Sequence, residues 1–179
     1  MTRSSLTRKA SRVRLLLFDV DGVLTDGTIL VHADGAESKR FHIRDGTAIV
    51  WAHRAGLMTG VLSARPSQAT AQRAAQLAMR VIAQASRGKL AAFEEVLRDH
   101  RLAAEQVAFM GDDLLDLPVL ARVGLSAAPA DAVPEVRRRV NMVTRAAGGQ
   151  GAARELIEFV LRAQDRWRDV VAEYGASGR

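Results

Sequence analysis

The sequence predicts an α/β fold: a parallel sheet covered by helices on both faces, with a β-hairpin projecting after the first strand. Three observations predict it. Short runs rich in Val, Leu and Ile alternate with longer stretches of helical periodicity. The strand-like runs are continuously apolar, as expected of parallel strands buried on both sides. The chain has 179 residues, 48% apolar and 26% charged, which suits one domain with a full core.

Arg14–Asp19 reads as the first buried strand. Asp45–Ala55 reads as a helix with Ala48, Ile49, Ala52 and Ala55 on one stripe, and Gly56 stops it. Leu57–Ser63 is the next strand. Pro66–Met79 is a helix with proline in its first turn. Arg80–Gln84 is a strand, Lys89–His100 a helix, Gln106–Met110 a strand, Asp113–Val123 a helix and Gly124–Ala128 a last strand. Two segments break the alternation. Thr28–His42 carries two β-prone runs around Ala33-Asp34-Gly35, a hairpin signal. Gly148–Gly151 ("GGQG") reads as a hinge, followed by one helix with Leu156, Ile157, Val160, Leu161, Trp167, Val170, Val171 and Tyr174. Residues 1–179 thus read as a single domain, with 1–12 as a flexible tail and 148–179 as hinge and C-terminal helix.

The bulk properties exclude several functions. The formal charge is +6, but the arginines are scattered among acids, and aromatics are only 4% of the chain. Neither a basic stripe nor stacking platforms exist, so no nucleic-acid partner is expected. No apolar run approaches the roughly 20 residues of a membrane helix, so no membrane is expected. The polar, basic start lacks the apolar stretch of a signal peptide. Cysteine is absent, which excludes disulfides and thiolate metal sites. A cytoplasmic location is expected.

"LLLFDVDGVLTDG" (Leu15–Gly27) ends an apolar run in three aspartates, although burying a carboxylate costs several kcal/mol without a partner. In open α/β sheets ligands gather at the carboxyl ends of strands. Asp19 and Asp21, Ser63, Lys89, and Asp112 with Asp113 all fall at or near such ends, so the alternation predicts that they converge. Hard oxygen ligands without cysteine suit Mg²⁺, and His32, His42, His53 and His100 show no ligand spacing. A metal, a lysine and a hydroxyl meet the demands of phosphoryl transfer. A carboxylate pair can divide nucleophile and acid/base roles. Asp113 and Asp116 read either as groups behind the site or as acids of a helix's first turn. Asp26, at the foot of the hairpin, reads as structural.

"DVDGVLTDG", Ser63, Lys89 and "GDDLLD", in that order, resemble the four motifs of the haloacid dehalogenase superfamily of phosphohydrolases. That resemblance implies a Rossmann-like sheet. It makes Asp19 the nucleophile and Asp21 the acid/base. Asp19, Asp112 and the backbone carbonyl of Asp21 would hold Mg²⁺, and Ser63 and Lys89 the phosphoryl oxygens. The stretches where such proteins insert cap domains here leave room only for the hairpin and for one helix and strand, so no cap domain is expected. "FHIRDG", "VGLSAAPADAVPEV" and "GGQGAARELIE" further resemble the 3-deoxy-D-manno-octulosonate 8-phosphate phosphatase family. This implies a sugar acid phosphate substrate and a homotetramer whose hairpins pack together. By the same resemblance Arg44, Asp45, Gly46, Arg65 and Arg73 face the substrate, whose carboxylate and phosphate suit guanidinium. Asp45 reads equally as a helix N-cap, and Arg73 as a solvated helix residue. The chain departs from the family at Ala64, where glycine is usual, and in lacking an arginine shortly after Asp45-Gly46. Related capless enzymes act on nine-carbon sialic-acid-type 9-phosphates, and a non-catalytic assembly module is the remaining alternative.

Overall fold

The structure is a computed structural model that describes residues 3–84 and 88–176. In chain order its elements are α1 (Arg3–Ala10), β1 (Leu15–Phe18), β2 (Leu30–Val31), β3 (Glu37–Ser38), α2 (Ile43–Arg54), β4 (Met58–Ser63), α3 (Gln68–Gln76), β5 (Val81–Gln84) and α4 (Lys89–His100). There follow β6 (Val107–Met110), α5 (Leu117–Leu120), β7 (Leu125–Ala128), α6 (Pro134–Arg137), β8 (Met142–Val143), α7 (Ala152–Ala163) and α8 (Trp167–Ala176).

Six strands form one parallel sheet in the order β5-β4-β1-β6-β7-β8. The apolar run in β1 has a simple cause. Successive side chains point to opposite faces, and both faces are covered. Leu16 and Phe18 enter a core with residues of α2 and α7, whereas Leu15 and Leu17 enter a second core with Phe93, Val96 and Leu97 of α4. All four are buried. The chain leaves β1 toward β4 and later returns to its other side at β6. The carboxyl end of β1 is therefore the switch point where α/β sheets open a crevice. The hairpin of β2 and β3 is antiparallel and stands apart from the sheet, with Leu30 and Val31 exposed.

The structure corrects several expectations. Residues expected to be a flexible tail form α1. Ala10 at its end is buried, and Lys9 Nζ donates to Asn141 Oδ1 at 2.9 Å. Residues 1, 2 and 177–179 lie outside the described residues. The glycines expected to be a hinge are packed instead. A Cβ on Gly148 would lie 1.9 Å from the carbonyl oxygen of Gly22, and Gly149 N–H donates to Val23 O at 2.9 Å. The expected single C-terminal helix is two, broken at Asp165, whose φ of 57° lies in the left-handed region. α7 docks on its own fold through Leu156, Ile157, Val160 and Leu161, all fully buried. α8 returns to α2, where Trp51 meets Trp167 edge-on at 5.5 Å and donates from Nε1 to the Tyr174 hydroxyl at 3.0 Å. The expected helix Asp113–Val123 is a 3₁₀ turn over Leu114–Asp116 leading into the short α5. β8 and α6 lie beyond the expected elements.

Candidate active site

The acids leave β1 as the strand ends. Asp19 N–H still pairs with Met110 O at 2.9 Å, so Asp19 stands beside the last residue of β6. Gly22 then turns the chain with φ of 86°. The turn is also a close approach: a Cβ on Gly22 would lie 2.1 Å from Asp112 Oδ2. Glycine is what allows the two acidic loops to touch.

Asp19, Asp21, Ser63, Arg65, Lys89, Asp112 and Asp113 line one cleft of about 180 Å³, with Ala64 and Leu115. Lys89 is buried at the first turn of α4. A cation there opposes the helix dipole, so two carboxylates must hold it. Its Nζ lies 2.8 Å from Asp19 Oδ2 and 2.6 Å from Asp116 Oδ1. Burial alone would lower its pKa, but Asp19 and Asp116 together raise it above the ordinary lysine value.

Asp116 is fully buried. Its other oxygen accepts from the backbone N–H of Asp112 at 2.9 Å and of Asp113 at 3.2 Å. It therefore fixes both Lys89 and the turn that carries Asp112. Of the two sequence readings for Asp116, the group behind the site is the one observed. Asp113 is exposed and accepts from Leu114 N–H at 2.7 Å.

Asp19, Asp112 and Asp116 each offer an oxygen within 4.8 Å of the others. Burial and the neighbouring Asp116 push Asp19 up to about 6, against the pull of Lys89. Burial, Asp19 and Asp116 push Asp112 up to about 7. Asp112 Oδ1 is buried without a hydrogen-bond partner. An orphaned acceptor beside a second carboxylate fits a hard cation. Both Asp116 oxygens are already engaged, so Asp19 and Asp112 are the carboxylates free to ligate.

Ser63 ends β4, and its hydroxyl accepts from Arg65 N–H at 3.3 Å. Arg65 Nη2 meets Glu37 Oε2 of the hairpin at 2.5 Å. Asp21 is held by Lys39, whose Nζ lies 2.7 and 2.9 Å from its two oxygens. Sequence reasoning missed Lys39 and Glu37. The signal available was the scarcity of lysine, with only Lys9, Lys39 and Lys89 in the chain.

Arg44, Asp45, Gly46 and Arg73 are not among the residues that line this cleft. Asp45, Gly46 and Arg73 line a smaller apolar pocket with Leu24, Phe41 and Leu77. The Asp45 carboxylate is buried, and burial raises its pKa. It accepts from Arg154 N–H at 2.8 Å and thereby caps α7. It does not cap its own helix, whose N-cap position is His42. Gly46 makes room for Arg73, whose Nη2 would lie 2.5 Å from a Cβ there. Arg73 stands 5.9 Å from the Phe41 ring and is not simply solvated. Arg44 is exposed. Asp26 accepts from Thr28 N–H at 3.0 Å and pairs with Arg40, a structural turn at the foot of the hairpin.

Comparison with known proteins identifies the family. The family model of haloacid dehalogenase-like hydrolases matches residues 65–156, about half of the chain. The 3-deoxy-D-manno-octulosonate 8-phosphate phosphatase KdsC of Escherichia coli K12 is 42% identical over 158 residues, 88% of this chain and 84% of that protein. The chain belongs to the haloacid dehalogenase-like hydrolases. Among solved members, the 3-deoxy-D-manno-octulosonate 8-phosphate phosphatase of Yersinia pestis superposes with a TM-score of 0.89 at 39% identity, covering 92% of this chain and 89% of that one. The corresponding phosphatase of Moraxella catarrhalis, in complex with magnesium, phosphate and KDO, superposes with a TM-score of 0.93 at 28% identity, covering 97% and 99%. The fold is a parallel sheet with helices, matching these structures, and no cap domain is evident among the described residues.

Proposed function

We propose that this chain is a Mg²⁺-dependent phosphatase of a sugar acid phosphate, 3-deoxy-D-manno-octulosonate 8-phosphate, acting through an aspartyl-phosphate. The observation that carries the reading is the buried Asp19–Lys89–Asp116 arrangement beside the orphaned Asp112 oxygen, at the switch point of the sheet. Relatives of this substrate class, one 42% identical over most of the chain, support the choice of sugar.

Asp19 attacks phosphorus, and the bond from phosphorus to the alcohol oxygen breaks. Asp21 gives that oxygen its proton. Asp21 then takes a proton from water, whose oxygen attacks phosphorus. The Asp19–phosphorus bond breaks and inorganic phosphate leaves. Ser63 and Lys89 hold the phosphoryl oxygens. The Asp19 and Asp112 carboxylates and the Asp21 carbonyl would hold Mg²⁺, which would neutralise charge on the phosphoryl group. Arg65, at the cleft, is the guanidinium best placed for a sugar acid, and exposed Arg44 is open to the same anion. Asp45 and Gly46 serve the frame, one capping α7 and the other admitting Arg73.

Exposed Leu30 and Val31 at the hairpin support a homotetramer assembled through that arm. No described helix is long and apolar enough to cross a membrane, and a cytoplasmic setting is part of the proposal. Phosphate release from the 8-phosphate sugar tests the reading. EDTA should abolish release, and Asp19→Asn should lose it by more than about 1,000-fold while staying folded. Full activity of Asp19→Asn, or preference for a nine-carbon 9-phosphate, overturns the nucleophile or the substrate respectively.

A further inference from the structure

Lys39 has no place in the roles assigned above, yet its side chain is wholly buried and its ammonium pairs with Asp21, which lines the cleft. Its Nζ reaches both oxygens of Asp21, at 2.7 and 2.9 Å, and approaches Thr70 Oγ1 at 3.4 Å. The contacts to Asp21 Oδ2 and Thr70 Oγ1 are hydrogen bonds, and the contact to Asp21 Oδ1 is an ion pair. Among the described residues, Lys39 is the hydrogen-bond partner of the Asp21 carboxylate.

The contact has a structural origin. In extended chain, residues two apart share a face. Glu37 and Lys39 are two apart at the returning arm of the hairpin. Glu37 grips Arg65, which follows β4, and Lys39 grips Asp21, which follows β1. Thr70 belongs to α3, so the Lys39 ammonium joins two other parts of the chain, the loop after β1 and α3. A buried ammonium tolerates its lost hydration only where carboxylate and hydroxyl acceptors surround it. Asp21, by contrast, is on a loop and about one quarter exposed. Without Lys39 it is free to change rotamer. An acid that must hand a proton to one departing oxygen loses most of its effect when it leaves hydrogen-bond reach.

We propose that Lys39 is a positioning residue for the leaving-group step. It holds the Asp21 carboxyl at the mouth of the cleft, so that the hairpin base is part of the working site. The inference rests on the phosphatase reading above and adds to it a residue outside the four motifs.

The test exploits leaving groups. An alkoxide needs the proton from Asp21, whereas p-nitrophenolate departs without one. Lys39→Met is assayed by kcat/KM on three esters: the 8-phosphate sugar acid, an alkyl phosphate lacking a carboxylate, and p-nitrophenyl phosphate. Both alkyl esters should fall about 100-fold, within the ordinary range for general acid catalysis, and the aryl ester less than about 5-fold. Asp21→Asn should show the same selectivity. Lys39→Arg should recover part of the alkyl activity and carries the comparison if the methionine variant does not fold. Equal losses on all three esters would reduce Lys39 to structural support. A loss confined to the sugar acid would make it a substrate-binding cation instead. Either result overturns the inference while leaving the phosphatase reading intact. Wild-type protein inactive on all three overturns both.

Discussion

Asp112→Asn should stabilise the metal-free protein and destroy its activity. Asp112 is pushed up to about 7 from an ordinary 3.8, by burial first and then by Asp19 and Asp116. The folded state therefore keeps this proton to higher pH than the unfolded chain does. A carboxyl of that kind contributes most stability in acid. The contribution falls as pH rises from about 4, where the unfolded chain ionises, to about 7, where the folded one does. Above that window the shift corresponds to about 4 kcal/mol against folding at 1.36 kcal/mol per pH unit. Solvent access to the cleft and relaxation reduce this, and about 2 kcal/mol is a reasonable working figure.

Asparagine keeps the shape, removes the charge, and can donate toward Asp19. In EDTA at pH 8 the variant should therefore melt roughly 4–8 °C above wild type, at about 2–4 °C per kcal/mol for a chain of this size. At pH 5 the wild-type side chain is still protonated in the fold, and the gain should be less than half as large. Added Mg²⁺ should raise the melting temperature of wild type far more than that of the variant, because the proposed reading makes the lost oxygen a ligand. Thermal melts at one protein concentration, with and without the metal, read all of this. A variant that melts at or below wild type at pH 8 in EDTA would refute the claim that the site stores carboxylate repulsion for a cation.

Two further substitutions separate geometry from charge. Gly22→Ala should weaken Mg²⁺ binding about 10–100-fold in calorimetric titration. The added methyl would meet Asp112 Oδ2, and φ of 86° is strained for alanine. Asp45→Ala should cost about 1–2 kcal/mol in urea unfolding, because it strips the cap from α7. If Asp45 acts only in the frame, KM for the sugar acid should stay within about 3-fold; a 10-fold rise would restore the expected substrate role.

The sheet was legible because its strands are apolar on both faces, a pattern that tertiary context rarely overrides. Ser63, Lys89, Asp112 and the pair Asp19 and Asp21 were legible because each stands at or near a strand's carboxyl end, which topology brings together. What escaped depends on tertiary partners. A basic, polar α1 carries no strong helix signal and becomes ordered where Ala10 is buried and Lys9 meets Asn141, 132 residues away. Asp45 looks like a cap in sequence and is one, but for α7, because α2 and α7 pack side by side. Lys39 follows a hairpin whose sequence signals only a turn; nothing local says that its ammonium folds back onto Asp21.

The glycines explain why the acids cannot be understood as a side-chain motif alone. A Cβ at Gly22 would strike Asp112, one at Gly111 would lie 2.4 Å from Asp116 Cγ, and one at Gly148 would strike the Gly22 carbonyl. Three backbone segments from distant parts of the chain therefore approach more closely around the acids than any side chain would permit. Gly148 and Gly149 support the loop after β1 from outside, with Gly149 bonded to Val23 O. Gly22 lets that loop meet Asp112, and Gly111 lets Asp116 reach back to fasten both Asp112 N–H and Lys89. Carboxylates pressed together in this way repel one another, and backbone hydrogen bonds hold them in place regardless. Rigid backbone that keeps anions together before a cation arrives reduces the reorganisation the chemistry would otherwise require. For that reason Gly148 and Gly149, which open the "GGQG" that reads as slack in the sequence, are among the least replaceable parts of the site.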